Sequence, residues 1–298
     1  MSKISICSTS DRKDGVKAAV NALGFNPVKG KNVLIKPNFN TADIAPGSTH
    51  IDILSSLIDV LWSMGAKSLA LGERSYPPTR EVMEAKNVFP LLAEKDVKVI
   101  DFDDLSEKDW VECNPQGSHW KNGFRVARPI LESECLVYAC CLKTHQFGGV
   151  ITMALKLSVG VVPTFRNGFN YMNELHSSRY QQEMIAEINV PFSPSLVVMD
   201  GVDAFVDGGP ATGKSVKANV VTASACRVTN DAVGVALLKH LGSNADIMST
   251  PVFAQKQIKR AAELNLGPGS ANNIELTPAD AKSSGIVDAV RNILNNDG

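Results

Sequence analysis

Short apolar runs alternate with longer segments of helical spacing along the chain, and the sharpest change of pattern falls within residues 135–163. Residues 136–142 form an unbroken apolar run with the length and composition of a strand buried on both faces, and it stops at Lys143, Thr144 and His145. A glycine-bearing turn follows at 146–149. Val150, Met153, Ala154, Leu157 and Val161 then recur at helical spacing and carry Lys156, so the stretch reads as strand, turn and helix. The same alternation predicts further strands at 4–7, 33–36, 69–72, 97–100, 195–199 and 219–223, and helices at 15–23, 51–64, 79–93, 170–188, 231–241 and 251–264. Periodicity is lost at 101–123. The expected fold is α/β, a mostly parallel or mixed sheet with helices on both faces. It is read as one domain over 1–298, built as lobes 1–110 and 124–298 around a cleft, with the irregular segment connecting them.

Charge narrows the partners. With 30 Lys plus Arg against 31 Asp plus Glu the formal net charge is −1, which provides no whole-molecule attraction to nucleic acid or an anionic membrane. The opening MSKISICSTSDRKD is too polar for a signal peptide, and no apolar run approaches the roughly 18 residues of a membrane helix, so a cytoplasmic protein is expected. Six cysteines occur without a C-x-x-C pair, against a zinc ribbon or a ferredoxin-type iron–sulfur cluster. Vicinal Cys140 and Cys141 would face opposite sides of their strand and suit a core better than one metal.

Chemistry-bearing residues collect where predicted strands end. Ligands of open α/β sheets sit outside the carboxyl ends of strands, so Lys143, Thr144 and Lys156 are expected to bind a substrate or other anion. Lys36 and Asn38 follow the strand at 33–36 and join that set, with Arg166 as a second anion contact. A lysine and a histidine two apart beyond an apolar strand are unusual as core filling, because an unpaired buried ammonium is expensive. His145 is therefore assigned proton transfer, with Glu73 and Asp200 as the acidic catalytic candidates. His50, His145, Glu73 and Asp200 would also make a mixed nitrogen and oxygen metal site, although no H-x-x-x-H spacing demands one, and His176 reads as a solvated histidine. The segment GGPATGKS matches a P-loop literally at Gly208, Gly213, Lys214 and Ser215. It lacks an immediately preceding strand and a following helix, and is read as a structural or substrate-covering loop.

The succession LIKPNFN from Leu34, Gly72–Glu73, LKTHQFGGVITMALKLSVGVVP from Leu142, MDGVDAFVDGGPATG from Met199 and TNDAVGVALL from Thr229 resembles domain-of-unknown-function family 362 over nearly the whole chain. The resemblance implies a common α/β fold with a shared cleft, and Lys36 and Asn38 fall within its K-P-N motif. It also implies an association with iron–sulfur modules and anaerobic metabolism, whereas this chain lacks the cluster cysteines. The expected function is an enzyme acting on an anionic small molecule or cofactor in a Lys/His/carboxylate cleft, by redox or metal-assisted chemistry, the metal and cofactor being left open. The alternative is a non-catalytic accessory protein of a redox or metal-cofactor pathway.

Overall fold

A computed structural model describes residues 1–297. Its strands are β1 (Ser2–Ser8), β2 (Asn32–Pro37), β3 (Ser68–Glu73), β4 (Val97–Asp101), β5 (Trp110–Cys113), β6 (Phe124–Ala127), β7 (Cys135–His145), β8 (Val150–Ile151), β9 (Phe165–Arg166), β10 (Phe169–Asn170), β11 (Leu196–Gly208), β12 (Gly213–Ser224) and β13 (Ile274–Pro278). One nine-stranded sheet has the order β13-β1-β12-β11-β7-β2-β3-β4, with β8 paired to the end of β7. Only β12 and β8 run against the others, so the sheet is mixed and mostly parallel. Strands that precede residue 110 and strands that follow 124 interleave in it. Among the described residues no helix is long and apolar enough to cross a membrane.

The apolar run of β7 is continuous because both its faces are covered. All of its residues are buried. Cys135, Val137 and Ala139 pack with the helices Arg12–Ala22 and Ile51–Ser63, while Leu136, Tyr138, Cys140 and Leu142 pack with Gln181–Ile188 and Arg227–His240. Asp11 starts the first of these helices by accepting the backbone N–H groups of Lys13 and Asp14. From β2 the chain steps outward to β3 and β4, and from β7 it steps the other way to β11 and β12. Adjacent parallel strands whose connections diverge leave a crevice at their carboxyl ends, so β2 and β7 open the space in which the site lies.

Several boundaries differ from the apolar pattern. The helix expected over 150–161 is instead β8, one helical turn Ala154–Leu157 and a 3-10 turn Ser158–Val161. Val150 takes φ 61, outside the helical region, and pairing of β8 with the end of β7 outweighs the helical spacing. The segment expected as one helix over 79–93 breaks at Asn87, φ 52, into Thr79–Ala85 and Val88–Glu94. The strand expected to close at Asp200 runs on to Gly208 and returns directly as β12. Edge strand β13 is half exposed and carries only a weak apolar signal, whereas the helix Ser284–Asn296 that follows buries Val287, Val290 and Leu294 at helical spacing.

Candidate functional site

β7 stays extended through Lys143, Thr144 and His145, so alternation puts Lys143 and His145 on one side and Thr144 on the other. A cavity of about 450 Å³ opens there, lined by Lys36 and Asn38 from the end of β2, Glu73 and Arg74 from the end of β3, Lys143 and His145 from β7, and Lys156 from the turn beyond it. His176 also lines it. Tyr76 and Phe147, 80% and 64% exposed, form part of the lining toward solvent.

Lys36 and Glu73 are both buried and form an ion pair. Lys36 Nζ also donates to the Pro37 carbonyl at 2.9 Å, and the Glu73 carboxylate accepts the N–H groups of Phe39 and Arg74, each at 2.9 Å. Burial pushes the lysine pKa down and the carboxyl pKa up, and their mutual attraction works against both. Gly160 covers this pair closely: a Cβ there would stand 2.9 Å from Lys36 Nζ and 3.0 Å from Glu73 Oε1. Arg74, buried beside them, donates to Thr164 Oγ1 at 2.9 Å and to the Val159 carbonyl at 3.1 Å.

The other two lysines meet no carboxylate at salt-bridge distance among the described residues. Lys143 Nζ donates to the carbonyls of Gly47, 2.5 Å, and Pro210, 3.0 Å, and burial lowers its pKa to about 8. Lys156 Nζ lies 2.8 Å from His145 Nε2; burial and then the Lys143 charge lower its pKa to about 7. His145 is held neutral, its pKa pushed down to about 2 by burial and then by Lys156 and Lys143. Lys156 is placed by a buried carboxylate: Asp231 accepts the N–H groups of Ala154 and Leu155, both at 2.8 Å, at the start of the turn that carries it. Thr152 and Arg74 also line the cavity, and their buried Oγ1 and Nε atoms have no hydrogen-bond partner among the described residues.

Three of the expected site residues lie elsewhere. Thr144 points away from the cavity and donates to the Gly208 carbonyl at 3.1 Å, fastening the glycine-rich loop. Arg166 donates to the Leu105 carbonyl at 3.2 Å and lies over the Trp110 ring, so it clamps the irregular segment. Asp200 faces the helix Arg12–Ala22, where Arg12 bonds it at 2.8 Å and also holds Asp203 at 2.7 Å. His50 caps the helix Ile51–Ser63 through the Asp52 N–H. The four residues weighed as a metal set are thus divided between two places, and no three His, Cys, Asp or Glu side chains among the described residues converge as metal ligands. Arg74 and His176 line the cavity although the sequence pattern assigns neither to it. The signal for the first was its adjacency to Glu73; the second is exposed as well as lining, and its Nδ1 lies 2.7 Å from the Met172 carbonyl.

The P-loop look-alike joins two antiparallel strands, β11 and β12, with no helix behind it, and its Lys214 is exposed. Its glycines serve close packing. Gly209 sits at φ +75, and a Cβ there would lie 2.2 Å from the Thr144 carbonyl oxygen. That approach brings the Pro210 carbonyl to Lys143.

The family model for a domain of unknown function, DUF362, matches residues 33–236. The chain belongs to this family. The matched region of this DUF362 protein contains every cavity residue named above, with Asp231. A thylakoid-associated protein of Synechocystis sp. is 23% identical over 198 residues, covering 65% of this chain and 59% of the relative. The chain therefore spans less than two thirds of the length of that curated relative. The lactate racemase apoprotein from Thermoanaerobacterium thermosaccharolyticum aligns over 98% of this chain and 90% of its own, with 12% identity and a TM-score of 0.41.

Proposed function

We propose that this DUF362 protein is an enzyme that binds an anionic small molecule at the carboxyl ends of β2 and β7 and performs acid–base chemistry on it. The observation that carries this reading is the pair Lys143 and Lys156, buried at one cavity without a carboxylate partner among the described residues. A buried cation without a counter-ion is costly in the free protein, and a ligand carboxylate or phosphate removes that cost by supplying the counter-charge. In this assignment Lys143 is the point charge for the anion, and Lys36 and Asn38 stand beside it. Lys156, its pKa lowered to about 7, moves the proton while neutral His145 holds its Nζ, with Glu73 as the carboxylate of the site.

Calorimetric titration with malonate, pyruvate and inorganic phosphate tests the binding half of the proposal. At least one should bind, and Lys143→Met should weaken it tenfold or more, about 1.4 kcal/mol. Absence of binding by all three would overturn the reading. Exchange of carbon-bound hydrogens of the bound anion in heavy water, followed by proton NMR, tests the chemistry, and Lys156→Met should slow it on the order of 10²–10⁴-fold. Binding without any exchange would favour an accessory protein over an enzyme.

A further inference from the structure

Lys156 differs from the other cavity lysines in what it faces. Lys36 donates to a carboxylate and a carbonyl, and Lys143 to two carbonyls, so both have acceptors suited to an ammonium. The hydrogen-bond partner of Lys156 Nζ is a ring nitrogen, His145 Nε2 at 2.8 Å. The other ring nitrogen, Nδ1, accepts the Phe147 N–H at 3.2 Å. A neutral imidazole has one N–H, so with Nδ1 accepting, the ring proton sits on Nε2 and is directed at Lys156 Nζ. That nitrogen must then accept it with a lone pair, which only the free amine has. The opposite arrangement, an ammonium donating to Nε2, would place the ring proton on Nδ1 against the Phe147 N–H. Gly149 makes room for this contact: a Cβ there would stand 3.0 Å from His145 Nδ1 and 3.1 Å from Lys156 Cε.

A desolvated lysine beside another cation is the arrangement that yields a nucleophilic amine near neutral pH. We infer that Lys156 forms an imine with the carbonyl group of an anionic carbonyl compound, a small 2-oxo acid or an aldehyde bearing carboxylate or phosphate, whose anionic end lies on Lys143; this rests on the anion-site reading above. Lys156 Nζ attacks the carbonyl carbon and a C–N bond forms. The two amine hydrogens pass to the carbonyl oxygen by exchange with solvent water, and that oxygen leaves as water when the C–O bond breaks. The product is R₂C=N–Lys156 plus water, with no change of oxidation state and no co-reactant. The cavity, about 450 Å³, is of a size for such a metabolite.

Reductive trapping tests this directly. The intact protein is incubated near pH 7 with pyruvate or glyoxylate and sodium cyanoborohydride, digested, and mapped by mass spectrometry. Malonate, an anion without a carbonyl, is titrated in parallel by calorimetry. The expected result is a reduced adduct on Lys156 in at least ~10-fold preference over exposed lysines such as Lys214, suppressed by excess malonate. Malonate binding with no preferential adduct at Lys156, or with the adduct on Lys143, would overturn the imine and leave the anion site standing. Failure of malonate, pyruvate and glyoxylate alike to bind would overturn the imine, and failure of inorganic phosphate as well would overturn both. The mapping uses wild-type protein, so it does not depend on a variant folding.

Discussion

Two charged clusters sit at the ends of neighbouring strands and look alike in sequence, yet they differ in how their charges are answered. On β11, Asp200 is met by Arg12, which also binds Asp203, and Lys217 completes the set at 2.6 Å from Asp203. At β7, Lys143 and Lys156 meet carbonyls and an imidazole, with no carboxylate in salt-bridge contact among the described residues. The first cluster is complete without a ligand. The second carries desolvated lysines with no carboxylate in contact among the described residues, and the proposed anion site rests on that difference.

The sharpest way to test the comparison is to break each cluster. Arg12→Ala leaves Asp200 buried and unpaired, and should lower stability by about 3–5 kcal/mol in denaturant unfolding. Lys156→Met should instead raise stability at pH 6, by about 2 kcal/mol, since it removes a buried ammonium and keeps the volume of the chain. Equal losses in both variants would show that the clusters do not differ in kind.

The pH dependence of stability has a definite sign. Burial lowers Lys143 to about 8 and Lys156 to about 7, against an ordinary 10.5. Between those values and 10.5 the unfolded chain binds more protons than the folded one, so stability rises with pH. The penalty is fully present below about pH 7 and is gone where both states are neutral. Unfolding midpoints measured from pH 7 to 9.5 should therefore increase, with up to about 1.4 kcal/mol per pH unit for each lysine, and the rise should disappear in the Lys143→Met, Lys156→Met double variant. A saturating anion should flatten it too, because the bound ligand stabilises the ammonium forms. The smallest effect belongs to Lys214→Met in the exposed hairpin, expected within about 0.5 kcal/mol of wild type and without change in anion affinity.

Much of this was legible in the chain itself. Alternating apolar runs announced a mostly parallel sheet covered on both faces, because strands buried on both sides must be apolar throughout. The abrupt ends of the runs at Lys36 and Lys143 marked strand termini, where polar side chains are tolerated beside a crevice. A lysine and a histidine two apart at the end of an apolar strand marked Lys143 and His145, and the extended backbone of β7 puts both on one side. The K-P-N, K-T-H and A-L-K motifs likewise carried the family.

What only the tertiary structure decided was which charges face one another. Asp200 and Glu73 both close a predicted strand, but they come from strands on opposite sides of β7, so one meets Arg12 of a covering helix and the other meets Lys36 in the cavity. Arg166 was drawn to Trp110, far away along the chain. The turn that carries Lys156 owes its position to Asp231, 75 residues beyond it by sequence number. Ion pairing and desolvation depend on distances between elements remote in sequence, and a local pattern of apolar and polar positions holds no record of those distances.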